Sequence, residues 1–130
     1  MSLPERISQP AFLGIGQMLM SESQPLMTVV GSCLAIAAYV PGRSLAALSH
    51  AIYATRSSQK DMTTGPYHFV DEAIQATVAE FARLGVLPAA LVFKIFGGAS
   101  FQKEENPFYH PGSLNVETAR RVLCERGLKL

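Results

Sequence analysis

The sequence has few charged residues, no tryptophan and no long apolar run. Charged residues make up 16% of the 130 residues and hydrophobic residues 48%, a balance typical of globular rather than disordered chains. The formal net charge is +1, and scattered Lys and Arg argue against a nucleic-acid partner. No apolar run reaches the roughly 18 residues of a membrane helix, and the N-terminus MSLPERISQP does not resemble a signal peptide. We therefore expect a cytoplasmic protein without membrane insertion.

Cysteine is also scarce, since the chain has only Cys33 and Cys124. In a chain without a secretion signal, two free thiols are favoured over a disulfide. The three histidines, His50, His68 and His110, lie far apart and lack the short spacings of zinc ligands. The sequence predicts neither a metal site nor a cofactor.

Apolar runs in the first half predict strands. Residues 12–20, FLGIGQMLM, predict a first strand in which glycines allow bending. Residues 26–39 predict two buried strands joined at the Gly-Ser-Cys sequence 31–33, or one strand bent there. They end at a Pro-Gly turn signal. Residues 44–53 are compatible with a strand or a short helix, because their length does not decide between the two.

The second half mixes helices with a strand. Residues 70–84 carry apolar side chains at helical spacing and precede Gly85, a suitable helix stop. Residues 91–96 predict a strand that ends at two glycines. Ser113 or Asn115 is a candidate cap for a last helix that ends near residue 125. No repeat or second domain is visible, so residues 1–130 are expected to form one domain.

Four segments, taken in order, resemble the CheD family. They read LGIGQ, VGSCLAIAAYVP, AALSHAIYA and YHFVDEAIQATVAEFARLGVLPAALVFKIFGGASF. The family pairs a Gly-Ser-Cys turn with a later histidine, followed by an aspartate-led helix and a Lys-Ile-Phe-Gly-Gly-Ala strand. Here these features are residues 31–33, His50, Asp71 and residues 94–99, and Gly112 and Asn115 match further on.

The resemblance implies an α+β fold of layered mixed β-sheets with flanking helices. It also implies a chemoreceptor glutamine deamidase, an amidohydrolase that converts receptor glutamine side chains to glutamate in chemotaxis. Implied partners are chemoreceptor cytoplasmic domains and the phosphatase CheC. The family usually continues beyond the final GLKL into a glycine-rich strand region that this chain lacks.

The implied chemistry centres on Cys33 and His50. Hydrolysis of a carboxamide needs a nucleophile stronger than water and an acid that helps ammonia leave, and a thiol beside an imidazole can supply both. The sequence therefore predicts Cys33 as the nucleophile and His50 as its base. Backbone N–H groups at Gly31, Ser32 and Leu34 are the candidate donors to the oxyanion.

A third catalytic residue is expected from the resemblance, because the family places a threonine at an even separation before the cysteine. That position holds Met27, whereas Thr28 stands at an odd separation from Cys33. Side chains alternate along a strand, so Thr28 would face away from Cys33 unless a bulge intervenes. Thr28 is the candidate orienting residue. The alternative, which a regular strand favours, is that a backbone carbonyl or water orients His50.

Two other functions remain open at this point. Met27 and the missing C-terminal region favour an inactive binding module that docks on receptors or CheC. A Cys-His pair could also serve an amidase with another substrate, because the pair does not choose its substrate. Cys124 is expected to pack in the protein, Asp71 to sit in the first turn of a helix, and His68 and His110 to be surface residues.

Overall fold

The fold is described from a computed structural model, over residues 9–56, 64–99 and 111–130. The strands are β1 Ala11–Phe12, β2 Met18–Ser21, β3 Leu26–Met27, β4 Leu34–Tyr39, β5 Ala46–Ala51 and β6 Val92–Gly97. The helices are α1 Val70–Arg83 and α2 Pro111–Glu125, with short 3-10 turns at Pro66–His68 and Pro88–Ala90. His110 lies outside the described residues.

Four antiparallel strands form the main sheet in the order β2-β5-β4-β6, and β1 pairs with β3 in a small parallel sheet. Both helices pack on one face of the main sheet, while β3 contacts β2 and β5. The predicted α+β class with two sheets and flanking helices is confirmed. No helix in the described ranges has the length and apolarity needed to span a membrane.

The core lies between the main sheet and the helices. Alternate residues of β4 and β6 enter it, such as Ile36 and Phe93, because successive side chains of a strand point to opposite faces. From α1 the apolar side of the helix contributes Ile74 and Phe81, both fully buried. The helical spacing that predicted α1 therefore reflects this buried side.

Two local predictions are wrong, and one open alternative is decided. The first predicted strand is two strands, β1 and β2, separated by a turn in which Gly16 has φ +78°. Residues 44–53 contain a strand, β5, and the helical alternative is excluded. Neither Ser113 nor Asn115 is a helix cap, because both lie inside α2, and Asn115 is also buried. The polar side chain of Asn115 therefore has a role other than capping.

Candidate functional site

The face of the main sheet opposite the helices carries His50. In the antiparallel register Ala35 of β4 is paired with His50 on one side and with Phe96 of β6 on the other, so the three side chains share a face. Ala35, whose side chain is only a methyl group, lies between the other two in the sheet. Cys33 directly precedes β4 and is partly buried.

The imidazole of His50 is oriented by Thr28. Thr28 Oγ1 lies 2.9 Å from His50 Nδ1 and 2.8 Å from the carbonyl oxygen of Leu13. The hydroxyl has a single proton, which it donates to that carbonyl, and so it accepts a hydrogen bond from Nδ1–H of His50. This arrangement puts the ring proton on Nδ1 and leaves a lone pair on Nε2.

The Nε2 atom of His50 is buried and has no hydrogen-bond partner within the described ranges. Burial also lowers the pKa of His50 below its ordinary value of 6.5. The ring is therefore neutral at neutral pH, with a lone pair available to take up a proton. No hydrogen bond joins it to Cys33 here, so the pairing of these two side chains remains a prediction.

Cys33 is a protonated thiol in this environment. Burial raises the pKa of Cys33 above its ordinary value of 9.0, and a hydrogen bond from its own backbone N–H partly offsets that rise. The pair is thus a neutral thiol and a neutral imidazole.

The alternative in which a regular strand turns Thr28 away and a backbone carbonyl or water orients His50 is wrong, because the Thr28 hydroxyl contacts the imidazole. Residues 28–33 are not a regular strand, because β3 ends at Met27 and β4 begins at Leu34. Alternation of side chains applies only within a strand. The irregular backbone between the two strands allows the Thr28 hydroxyl to reach the imidazole in spite of the odd separation from Cys33.

The Gly-Ser-Cys turn lies against the end of β6. Gly98 N–H donates to the carbonyl of Cys33, and Ala99 N–H donates to that of Gly31, both at 2.9 Å. Gly97 and Gly98 have φ of +99° and +72°, and a Cβ on Gly97 would meet the Cys33 carbonyl. Glycine is required for this close approach.

An apolar groove of about 500 Å³ adjoins the candidate residues. Its lining residues include Leu26, Met27, Thr28, Val30, Ala35 and Phe96. A depression of about 680 Å³ lies along α2, lined by Gly98, Ser113 and Arg120 among others. The depression contains neither Thr28 nor a residue beside His50. The groove contains Thr28 and Ala35, the residue paired with His50, although neither Cys33 nor His50 lines it.

With this geometry established, two comparisons identify relatives of the chain. The family described as CheD chemotactic sensory transduction matches residues 53–130, more than half of the chain. The chain belongs to the CheD family. The family match begins after Cys33 and His50, but the pairwise matches described next extend over about nine tenths of the chain.

Three relatives carry the name probable chemoreceptor glutamine deamidase CheD. The protein of Oleidesulfovibrio alaskensis is 33% identical over 124 residues, covering 91% of this chain and 58% of that protein. The protein of Nitratidesulfovibrio vulgaris is 32% identical over 123 residues, covering 90% and 62%. The protein of Thermococcus kodakarensis is 30% identical over 121 residues, covering 91% and 74%. The chain spans less than two thirds of the length of the first two.

Two expectations about other reactive side chains are wrong. Cys124 is exposed on α2 rather than packed. His68 is partly buried rather than on the surface, and its ring lies where a Cβ on Gly16 would be. Asp71 lies in the first turn of α1 as expected, where its side chain accepts the N–H of Glu72. No group of three His, Cys, Asp or Glu residues able to hold a metal occurs among the described residues.

Sequence reasoning missed the contacts that Asn115 makes. Its side-chain nitrogen donates to the carbonyl of Ser32 at 3.0 Å and to that of Ile52 at 3.3 Å. The sequence did contain one indication of these contacts. Asn115 is a polar residue at helical spacing from Ala119 and Val122, which are buried in α2. A polar residue on a buried side of a helix must have a hydrogen-bond partner.

Proposed function

We propose that this protein hydrolyses glutamine side chains to glutamate, with Cys33 as nucleophile, His50 as base and Thr28 as the residue that orients His50. The observation that carries the proposal is the hydrogen bond between Thr28 Oγ1 and His50 Nδ1. It leaves the lone pair on Nε2, the nitrogen that a neighbouring thiol would use. Catalytic hydrogen bonds are often long in a free enzyme and shorten when substrate binds.

The reaction begins as His50 Nε2 takes the proton of the Cys33 thiol and the sulfur attacks the glutamine side-chain carbonyl. His50 then returns the proton to the departing nitrogen, and ammonia leaves a thioester on Cys33. Water, deprotonated by the same imidazole, attacks the thioester and releases glutamate and the free thiol. The net reaction is carboxamide plus water giving carboxylate plus ammonium.

The negative oxygen of each tetrahedral intermediate needs fixed donors. The Gly31–Leu34 turn supplies candidate backbone N–H groups. Leu34 of β4 is paired with Ala51 of β5. Further along the same pair of segments, Val40 N–H donates to the carbonyl of Leu45. Because every second residue of an antiparallel strand points its N–H toward the same neighbour, the N–H of Leu34 also points toward β5. We therefore propose as oxyanion donors the N–H groups of Gly31, Ser32 and Cys33, which precede the ladder, and not the predicted N–H of Leu34.

The proposed substrates are the cytoplasmic domains of chemoreceptors, and the reaction would therefore take place in the cytoplasm. The names of the relatives support this choice. The groove beside Thr28 would receive the apolar surface that surrounds the target glutamine. CheC is a proposed partner on the basis of the resemblance alone.

The test is incubation of the protein with a chemoreceptor cytoplasmic fragment, followed by mass spectrometry for conversion of glutamine to glutamate. We expect conversion by the wild-type protein and by Cys124→Ser, because Cys124 is exposed on α2. We expect Cys33→Ala to lower the rate by at least roughly 10⁴-fold, as removal of a nucleophile does. Binding of the fragment without any conversion would support an inactive binding module instead.

A further inference from the structure

Each of the three successive carbonyl groups of the Gly-Ser-Cys turn accepts a hydrogen bond from another part of the chain. Gly31 accepts from Ala99 N and Cys33 accepts from Gly98 N, both through the backbone. Between them, the carbonyl of Ser32 accepts from the side-chain amide of Asn115 at 3.0 Å. The middle carbonyl is therefore the one whose partner is supplied by a side chain.

The hydrogen bonds to these carbonyls also fix the direction of the N–H groups in the turn. The N–H and C=O of one trans peptide point in opposite directions, and the described chain has no cis peptide bond. A Ser32 carbonyl bonded to α2 therefore directs the Cys33 N–H away from α2. That N–H lies close enough to the Cys33 sulfur to lower its pKa against the larger, opposing effect of burial.

Asn115 connects both halves of the candidate site. The same nitrogen donates to the carbonyl of Ile52, just beyond the end of β5, the strand that carries His50. Asn115 is 1% exposed, and burying an amide is costly unless its hydrogen bonds are made. Its two donors thus tie the turn of the nucleophile to the strand of the base.

We propose that Asn115 is a positioning residue, which fixes the Ser32–Cys33 peptide so that the Cys33 N–H can donate to the oxyanion. This inference rests on the proposed function. Asn115 does not touch the substrate, and it acts by preventing rotation of one peptide plane. Its loss should affect reactions that form an oxyanion more than reactions of the same thiol that form none.

Two reagents distinguish these reactions without any glutamine substrate. p-Nitrophenyl acetate acylates a thiol through a tetrahedral oxyanion and releases nitrophenolate, whereas iodoacetamide alkylates it by direct displacement of iodide. Both rates would be measured for Cys33 in a Cys124→Ser background, since Cys124 is exposed. Dividing the acylation rate by the alkylation rate cancels any change in the thiolate fraction or the accessibility of Cys33, because such a change affects both rates. The control is Thr118→Val, which alters another buried polar residue of α2.

We expect Asn115→Ala to lower this ratio about 10-fold, less than the 10²–10³-fold loss caused by deleting an oxyanion donor outright. Thr118→Val should leave the ratio within about twofold, as expected for a change away from the site. An equal fall of both rates, or an unchanged ratio, would overturn the proposal. If Asn115→Ala does not fold, the same measurement on Asn115→Asp, which keeps the shape, decides the question.

The experiment separates this inference from the proposed function. A wild-type protein that does not convert receptor glutamine would contradict the proposed function. A changed ratio in Asn115→Ala would still support the positioning role at Cys33. Conversely, normal deamidation by a folded Asn115→Ala variant with an unchanged ratio would reject only the role of Asn115.

Discussion

The two faces of the main sheet are built from the same strands but differ in what covers them. On one face, side chains such as Ile36 and Phe93 are sealed under α1 and α2. On the other, His50 lies under the irregular segment that contains Thr28, and Phe96 is 53% exposed. The first face therefore contains most of the buried apolar side chains, while the second carries His50, Thr28 and the groove. Substitutions on the two faces should have different consequences.

The largest expected effect on stability comes from the covered face. Phe93 is fully buried opposite Ala38, and Phe93→Ala should lower the free energy of unfolding by about 3–5 kcal/mol, because it leaves a cavity. Urea unfolding followed by circular dichroism measures this change. The activity per folded molecule should change little, and a specific loss of activity at full stability would contradict the division between the faces.

The next largest effect should come from Thr28→Val. The change keeps the shape of the side chain but leaves the Nδ1–H of His50 without an acceptor, which costs about 1–3 kcal/mol for a buried donor. If the same free energy is lost from the correctly oriented imidazole, the rate of deamidation falls roughly 10- to 100-fold. Thr28→Ser, which keeps the hydroxyl, is the matched control and should retain most of the rate. Equal losses in the two variants would show that the hydroxyl is not responsible.

Phe96→Ala tests the exposed face with a residue from the same strand as Phe93. Because Phe96 is half exposed and lines the groove, its loss should change stability by only about 0.5 kcal/mol. The KM for a receptor fragment should rise several-fold while kcat is retained, since the proposed role of the groove is binding and not reaction. A stability loss comparable with that of Phe93→Ala would remove the contrast between the faces.

The smallest effect concerns pH. Burial lowers the pKa of His50 below 6.5, so the neutral base predominates at pH 6.5 and above. The kcat/KM should therefore change less than about twofold between pH 6.5 and 7.5 and fall only at lower pH. A midpoint above pH 6.5 would contradict the neutral-imidazole description.

The same shift affects stability. The unfolded chain takes up the proton of this histidine at a higher pH than the folded chain does. The contribution of neutral His50 is therefore complete above pH 6.5 and is lost as the pH falls toward the lower pKa of the folded state. Thermal unfolding of the wild type and His50→Gln over this range measures the difference between them.

The sequence alone determined the elements whose pattern is local. The spacing of apolar residues in 70–84 predicts α1, whose core-facing side includes Ile74 and Phe81, and the run before the two glycines predicts β6. The order of motifs also indicated the CheD family and the two residues Cys33 and His50. Local patterns such as those of α1 and β6 depend on neighbours in the chain, which a sequence displays directly, whereas Cys33 and His50 were identified through the resemblance to the family.

Only the tertiary structure decided how the candidate site is assembled. Thr28 reaches His50 because the chain between β3 and β4 is irregular, and no alternation rule predicts the path of irregular backbone. Asn115 looked like a cap, yet its amide bonds the carbonyl of Ser32 across 83 positions of sequence. Hydrogen bonds between distant segments depend on how the layers pack, and that information is absent from the local pattern of either segment.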